Sequence, residues 1–302
     1  MTRFWSLYIV LLTLANIAAA LWLIRWTAKP RQGEPASTET TGHVWDGDLT
    51  EYNKPMPRWW LYLFYLSIVF ALIYLALYPG LGNFRGLLGW SQVNAYESQM
   101  ATAAQTYGPQ FQAYAATDLV ALGRNPEAMD TASRLFANTC AGCHGSDAHG
   151  GPGFPNLADA DWLYGGAPET IRESILKGRS GMMPPFGPIL GEDGIAEVTQ
   201  YVLSLSGRPS DPVKAAAGQQ RFATTCAACH GADGKGTPAL GAPNLTDRIW
   251  LYGGSADTIA QTVRGGRQGR MPAHEAILGS DRAHLLAAYV YQLSQGDDVA
   301  KE

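Results

Sequence analysis

Two five-residue stretches carry the chemistry of this chain: Cys140-Ala141-Gly142-Cys143-His144 and Cys226-Ala227-Ala228-Cys229-His230. Two thiols three residues apart, followed at once by an imidazole, match the C-x-x-C-H attachment pattern of a c-type haem. Each thiol adds S–H across a porphyrin vinyl group, which fixes the ring edge. The histidine next in the chain then lies under the iron and supplies one axial ligand. Two copies imply two covalently bound haem c groups, held through Cys140, Cys143, Cys226 and Cys229, with His144 and His230 on the irons. A zinc site built from the same residues fits poorly, because a histidine directly after a cysteine cannot easily reach the same tetrahedral ion. The two motifs use all four cysteines, so no disulfide framework is left over.

The sixth ligand of each iron decides the chemistry. An open position suits ligand binding or peroxidase turnover, whereas a thioether sulfur blocks substrate and suits electron transfer. Aligning the two halves on Gly-Arg-x-Gly-x-Met-Pro superposes Met183 on Met271, each followed by proline. Methionine often fills core gaps instead, but a Met-Pro pair in a glycine-rich loop is a poor core helix. Met182 is the rival in the first copy, and the alignment ranks it below Met183. Pro155 and Pro243 are candidates for a backbone carbonyl that accepts the axial histidine Nδ1–H and orients the ring. Arg179 and Arg267 are candidate partners for haem propionates, with a solvated surface role as the alternative. Trp162 and Trp250 suit packing on the porphyrin or donation to a propionate, with a plain core role nearly as good. His149, His274 and His284 have no counterparts across the repeat and read as loop or surface residues.

These residues sit in a duplicated unit. Asp161-Trp162-Leu163-Tyr164-Gly165-Gly166 matches Ile249-Trp250-Leu251-Tyr252-Gly253-Gly254, and Pro155-Asn156-Leu157 matches Pro243-Asn244-Leu245. Apolar periodicity and turn residues predict three helices per copy: 127–138, 168–177 and 193–205, then 212–224, 255–264 and 281–294. The fold class is therefore mainly α, with two small helical cytochrome c domains in tandem at 126–208 and 209–302. So small a domain has little apolar surface of its own, and a buried haem would complete the core. The Pro-stiffened linker Gly207-Arg208-Pro209-Ser210-Asp211-Pro212 places the two modules side by side.

Upstream lies a membrane anchor, 1–84. Residues 4–24 and 59–78 are apolar runs long enough to cross a ~30 Å hydrocarbon layer, with tryptophan and tyrosine at their rims. The loop 25–58 carries Arg25, Lys29, Arg31, Lys54 and Arg58, which places it in the cytoplasm and both termini in the periplasm of a bacterial inner membrane. Cleavage of the first run as a signal peptide, at Ala18-Ala19-Ala20, would send the haem motifs to the cytoplasm, so both helices are read as retained. Residues 85–125 read as a partly helical periplasmic stalk. The net charge of -4 argues against nucleic acid as a partner.

The chain as a whole resembles the dihaem subunit of cbb3-type cytochrome c oxidases. The resemblance rests on Asp46-Gly47 leading through Asn53-Lys54-Pro55-Met56-Pro57-Arg58-Trp59-Trp60 into a membrane helix, then on the stalk and the two modules with their Trp-Leu-Tyr-Gly-Gly element. The additional N-terminal helix departs from the many members that have one. The resemblance implies a non-catalytic subunit that accepts electrons from a donor cytochrome c. It would pass them through a monohaem cytochrome c subunit to the catalytic haem-copper subunit, where oxygen is reduced and protons are pumped. The alternative is a free-standing membrane dihaem shuttle serving a dehydrogenase or a quinol-oxidising complex. A dihaem peroxidase would need one open iron, against which the Met183/Met271 pair argues. A sensor would need a signalling domain larger than the loop 25–58.

Overall fold

The protein is described by a computed structural model that covers residues 1–29, 32–54 and 56–296. Arg31, Pro55 and the tail 297–302 of the second repeat lie outside the described residues. The chain divides into two compact units at 106/107.

The first unit is built on two apolar helices, α1 (Arg3–Thr27) and α2 (Arg58–Leu77), with mean hydropathies of 2.3 and 2.2. Neither buries a side chain, so their leucine, phenylalanine and tryptophan surfaces face outward, as lipid-facing helices require. At 1.5 Å per residue each reaches about 30 Å or more, enough to cross a bilayer. The Asn83 backbone N–H donates to Ser6 Oγ at 2.9 Å, and Asn83 Nδ2 donates to the Met1 carbonyl. That clasp holds the start of α1 against the segment that follows α2, so the two helices form a hairpin with both outer ends on one side. Between them the loop folds into a β-hairpin, β1 (Thr40–Trp45) with β2 (Leu49–Tyr52). Asp46 and Gly47 turn it with φ of 50° and 91°. The Asp-Gly dipeptide between Val44-Trp45 and Leu49-Thr50 suits this turn, since both types tolerate positive φ.

The second unit contains both repeats. Its helices are the last part of α3 (Gln92–Ala115), α4 (Leu119–Leu122), α5 (Pro126–Thr139), α6 (Ala141–His144), α7 (Pro168–Lys177), α8 (Gly187–Leu205), α9 (Pro212–Thr225), α10 (Ala227–His230), α11 (Ala256–Gly265) and α12 (Glu275–Ser294). α8 and α12 bend at Gly191 and Gly279, both in the left-handed region. Each repeat opens with the same device. Asn125 and Asp211 cap α5 and α9 by accepting two backbone N–H groups, and Pro126 and Pro212 occupy the first helical position. The end of α3 and all of α4 dock on the first core, burying Tyr114, Leu119 and Leu122. The segment expected as a stalk is thus part of that core from Phe111 onward.

The two hydrophobic cores do not follow the repeat boundary at 208/209. The first joins Ala132 and Phe136 of α5 and Ile171 and Ile175 of α7 to Leu278, Leu285, Leu286 and Val290 of α12. The second joins Phe222 of α9 and Ile259 and Val263 of α11 to Leu190, Ile195, Val198 and Val202 of α8. Each core therefore takes its opening helices from one repeat and its closing helix from the other. The crossover is an antiparallel ribbon, β3 (Arg179–Met183) with β4 (Arg267–Met271), in the register Arg179↔Met271, Gly181↔Gly269, Met183↔Arg267. Backbone bonds tie down both ends, from His274 N–H to the Ile175 carbonyl and from Phe186 N–H to the Val263 carbonyl, each 3.0 Å. Phe136 meets Tyr289 at 5.6 Å between centroids, and Phe222 meets Tyr201 at 5.2 Å, so equivalent aromatic pairs close the two cores.

Candidate haem sites

Each attachment motif forms the same local structure. The long helix ends at the first cysteine, and one further helical turn, α6 or α10, carries the chain to the histidine. Gly145 and Gly231, at φ of 79° and 77°, then reverse the chain. Within that turn Cys143 and Cys229 are exposed, Cys140 is half-buried and Cys226 buried. Burial, with the second thiol of each motif adding to it, pushes the Cys140 and Cys226 thiols up to about 11. Each therefore stays protonated as S–H, the form that adds across a vinyl group without a change of oxidation state.

His144 and His230 are among the few buried polar side chains of the second unit. His144 Nδ1 lies 3.0 Å from the Pro155 carbonyl, and His230 Nδ1 lies 3.1 Å from the Pro243 carbonyl. A carbonyl only accepts, so Nδ1 carries the proton and Nε2 keeps its lone pair for a metal. Burial holds His230 below the ordinary imidazole range, which keeps the ring neutral for ligation. The loop that presents the carbonyl is itself fixed: Gly150 N–H donates to the His144 carbonyl and Gly236 N–H to the His230 carbonyl.

Both motifs line one continuous cavity of about 820 Å³, walled mainly by apolar side chains from the two repeats. Cys140, His144, Cys226, His230, Met183 and Met271 all border it. Met182 also borders the cavity but is 77% exposed, while Met183 packs on the second core. Trp162 packs on the first core and Trp250 on the second. The Trp250 Nε1–H is buried without a partner. A lone buried donor costs about 1–3 kcal/mol, so an acceptor such as a propionate oxygen fits this wall.

The guanidinium groups are held for the same space. Arg179 lies over the Tyr164 ring at 4.9 Å and donates to Ser174 Oγ at 2.8 Å. Arg267 lies over Tyr252 at 4.5 Å and donates to Thr262 Oγ1 at 2.9 Å. The three unmatched histidines do not gather at the motifs. His149 is held by Asp147, His284 bonds the Thr117 carbonyl, and His274 begins α12. His274 does border the cavity, with its Nδ1 buried and unpartnered, which the sequence did not signal. Among the described residues no three His, Cys, Asp or Glu side chains converge as a metal cage.

Two effects of substitution follow from this wall. Trp250→Phe removes a donor that would offset propionate charge, which favours the oxidised iron. The midpoint potential of one haem should fall by on the order of 40 mV, the equivalent of about 1 kcal/mol; redox titration of the purified chain checks this. Burial, then the nearby Asp247 and Asp159, pushes the Asp161 carboxyl up. A raised carboxyl favours the protonated fold, so its penalty is absent below the unfolded value of about 4 and grows as pH rises through the folded one. Asp161→Asn should therefore raise the melting temperature at pH 7 and leave it unchanged near pH 4. A loss of stability at pH 7 would contradict that sign.

Tandem cytochrome c domains behind two helices of membrane length are the class of protein that this fold and these motifs define. The family described as cytochrome c oxidase, cbb3-type, subunit III matches residues 127–202 and 213–290, and the N-terminal domain of cytochrome oxidase-cbb3, FixP, matches residues 37–85. A cbb3-type cytochrome c oxidase subunit CcoP from Rubrivivax gelatinosus is 45% identical over 297 residues, covering 98% of this chain and 97% of the relative. A subunit FixP from Bradyrhizobium sp. (strain ORS 278) is 41% identical over 280 residues, 86% of this chain and 96% of the relative. A subunit CcoP from Cereibacter sphaeroides is 40% identical over 290 residues, 90% of this chain and 100% of the relative. The chain belongs to the family of the cbb3-type cytochrome c oxidase subunit that carries cytochrome c domains. The match to the Rubrivivax gelatinosus protein spans nearly the whole chain, the sequence of α1 included.

Proposed function

We propose that this chain holds two haem c groups outside the inner membrane and conducts electrons, without itself reducing oxygen. It accepts them from a donor cytochrome c and delivers them, through a monohaem cytochrome c subunit, to the catalytic haem-copper subunit of a cbb3-type oxidase. The observation that carries this reading is that both attachment motifs open into one cavity, so the two cofactors sit within a single protein wall. Haem c supplies a one-electron iron couple when bound. The chain's own residues do the rest. Four thiols fix the rings, Pro155 and Pro243 orient two neutral imidazoles, and Met183 and Met271 offer neutral sulfur donors. Neutral, preset ligands keep rearrangement small when charge arrives or leaves. The anchor helices lie in the lipid bilayer, and the loop 25–58 with its hairpin faces the cytoplasm, because its arginines and lysines favour that side.

The test uses the purified oxidase with and without this subunit. A pyridine haemochrome assay should count two haem c per chain. Removal of the subunit should abolish oxygen consumption driven by reduced cytochrome c while sparing consumption driven by a small artificial reductant. Unchanged turnover with cytochrome c would overturn the proposal.

A further inference from the structure

We infer that Arg208 makes the two haem sites unequal. As a positioning residue behind Trp250 it holds an uncompensated positive charge, and the haem at Cys226 and Cys229 is therefore the easier of the two to reduce. The inference rests on the dihaem reading above and deepens it.

The first repeat supplies this arginine to the site of the second. At the end of α8, Gly207 turns the chain at φ 67°, and the Arg208 backbone N–H donates to the Leu203 carbonyl at 3.0 Å. Arg208 Nη1 then donates to the Gly254 carbonyl, 46 residues further on. The space that a side chain at Gly254 would fill holds Arg208 Nη1 together with Cδ1 and Cγ of Trp250. Guanidinium, glycine and indole form one packed group. The arginine thus fixes the loop that carries the unpartnered Trp250 Nε1–H on the cavity wall. The first site lacks this device. Around Gly166 the three nearest atoms all belong to Trp162. Aligning Tyr201-Val202 with Tyr289-Val290 sets Gly296 opposite Arg208, and glycine has no charge to offer.

Nothing cancels the charge. Arg208 is half-buried, its side chain bonds a neutral carbonyl, and no carboxylate pairs with it among the described residues. Arg221 and Arg264, by contrast, pair with Glu197 and Glu192. Arg179 and Arg267 occupy matched places over Tyr164 and Tyr252, so they do not separate the sites. Arginine stays protonated at any working pH, and a cation beside a partly buried site acts through an effective dielectric well below that of water. An iron that accepts an electron gains negative charge near that cation, which favours the reduced form. The electron comes from the donor cytochrome c, and Arg208 neither gains nor loses a proton. A chain holding one electron then keeps it mainly at the second haem.

Redox titration of the purified chain with its haems, followed in the reduced α band, tests this. The unmodified chain should show two midpoints. Arg208→Gln keeps a donor for the Gly254 carbonyl and loses the charge. It should weaken reduction of the higher-potential haem about threefold, a fall of ~30 mV at about 59 mV per tenfold for one electron, and leave the lower midpoint in place. Arg208→Lys, which keeps the charge, should restore most of the loss. Equal falls with Gln and Lys would mean a purely structural role and overturn the inference. Cys140→Ala assigns the sites, since an unreacted vinyl group conjugated with its ring moves the α band of the first haem to the red. In that background Arg208→Gln should lower the midpoint of the unshifted band alone. A fall in the red-shifted band, or in neither, would overturn the inference. A haemochrome count of one haem per chain would instead overturn the dihaem reading. If Cys140→Ala yields no holoprotein, the unmarked titration decides, and loss from the lower midpoint or from neither overturns the inference. If Arg208→Gln does not fold, the order of the two bands in the Cys140→Ala chain decides: the unshifted band must titrate at the higher potential.

Discussion

A chain in which Cys226 and Cys229 are both replaced by serine is expected to lose the haem proposed for that motif and, with it, the fold of both cores. Phe222, Ile259 and Val263 form part of the cavity wall as well as the second core. Leaving about half of an 820 Å³ cavity unfilled costs up to about 10 kcal/mol at roughly 24 cal/mol per Å³, before side chains relax inward. That matches the whole stability of an ordinary domain. The damage cannot stay in one half, since α8 leaves the first repeat to close the second core and α12 returns to close the first. Haem staining after denaturing electrophoresis should show little accumulated chain. Any purified material should lack a cooperative melting transition by circular dichroism. A well-folded chain carrying one haem with an unchanged transition would contradict this.

Gly218→Val is expected to cost about 3 kcal/mol or more. Gly218 lies on α9 where α8 crosses, and a β-carbon there would overlap the backbone carbonyl of Glu197. The obstacle is backbone, so no rotamer change relieves it. For a unit of this size the loss is a fall in melting temperature of roughly 6–12 °C. The equivalent position on α5 is Ala132, fully buried. The α5–α12 crossing thus has room for one methyl that the α8–α9 crossing lacks. Ala132→Gly should cost only about 1 kcal/mol, through helix propensity. Equal effects of the two substitutions would mean the crossings are alike.

Much of this was legible in the residues. The caps Asn125-Pro126 and Asp211-Pro212, the apolar spacing of Ala128, Ala132 and Phe136, and the breaks at Gly178 and Gly266 place the helices within a residue or two. The helix bends at Gly191 and Gly279 let α8 and α12 begin several residues before the expected 193 and 281. The pairing of halves was not legible, for a physical reason. Tyr201 and Tyr289 occupy equivalent positions on equivalent helices, so Phe136 would accept either, and composition cannot choose between copies. One signal did bear on it. Only six residues separate α8 from α9, and so short a connection favours packing the two helices against each other as antiparallel neighbours. They could not then belong to separate cores. The β1–β2 hairpin was not legible because both strands are exposed throughout and so carry no apolar alternation; Asp46-Gly47, between β-prone flanks, is its one sign.

The crossing of halves also bears on biogenesis. A nascent polypeptide emerges from its N-terminus, and Tyr289 is 153 residues behind Phe136, its partner in the ring pair that closes the first core. The upstream site must therefore wait for nearly the whole sequence before it can shut, while the downstream one finds α8 already delivered. A premature stop codon anywhere before α12 would leave the earlier-made pocket gaping, and cellular quality control would meet an unfinished product instead of a serviceable half.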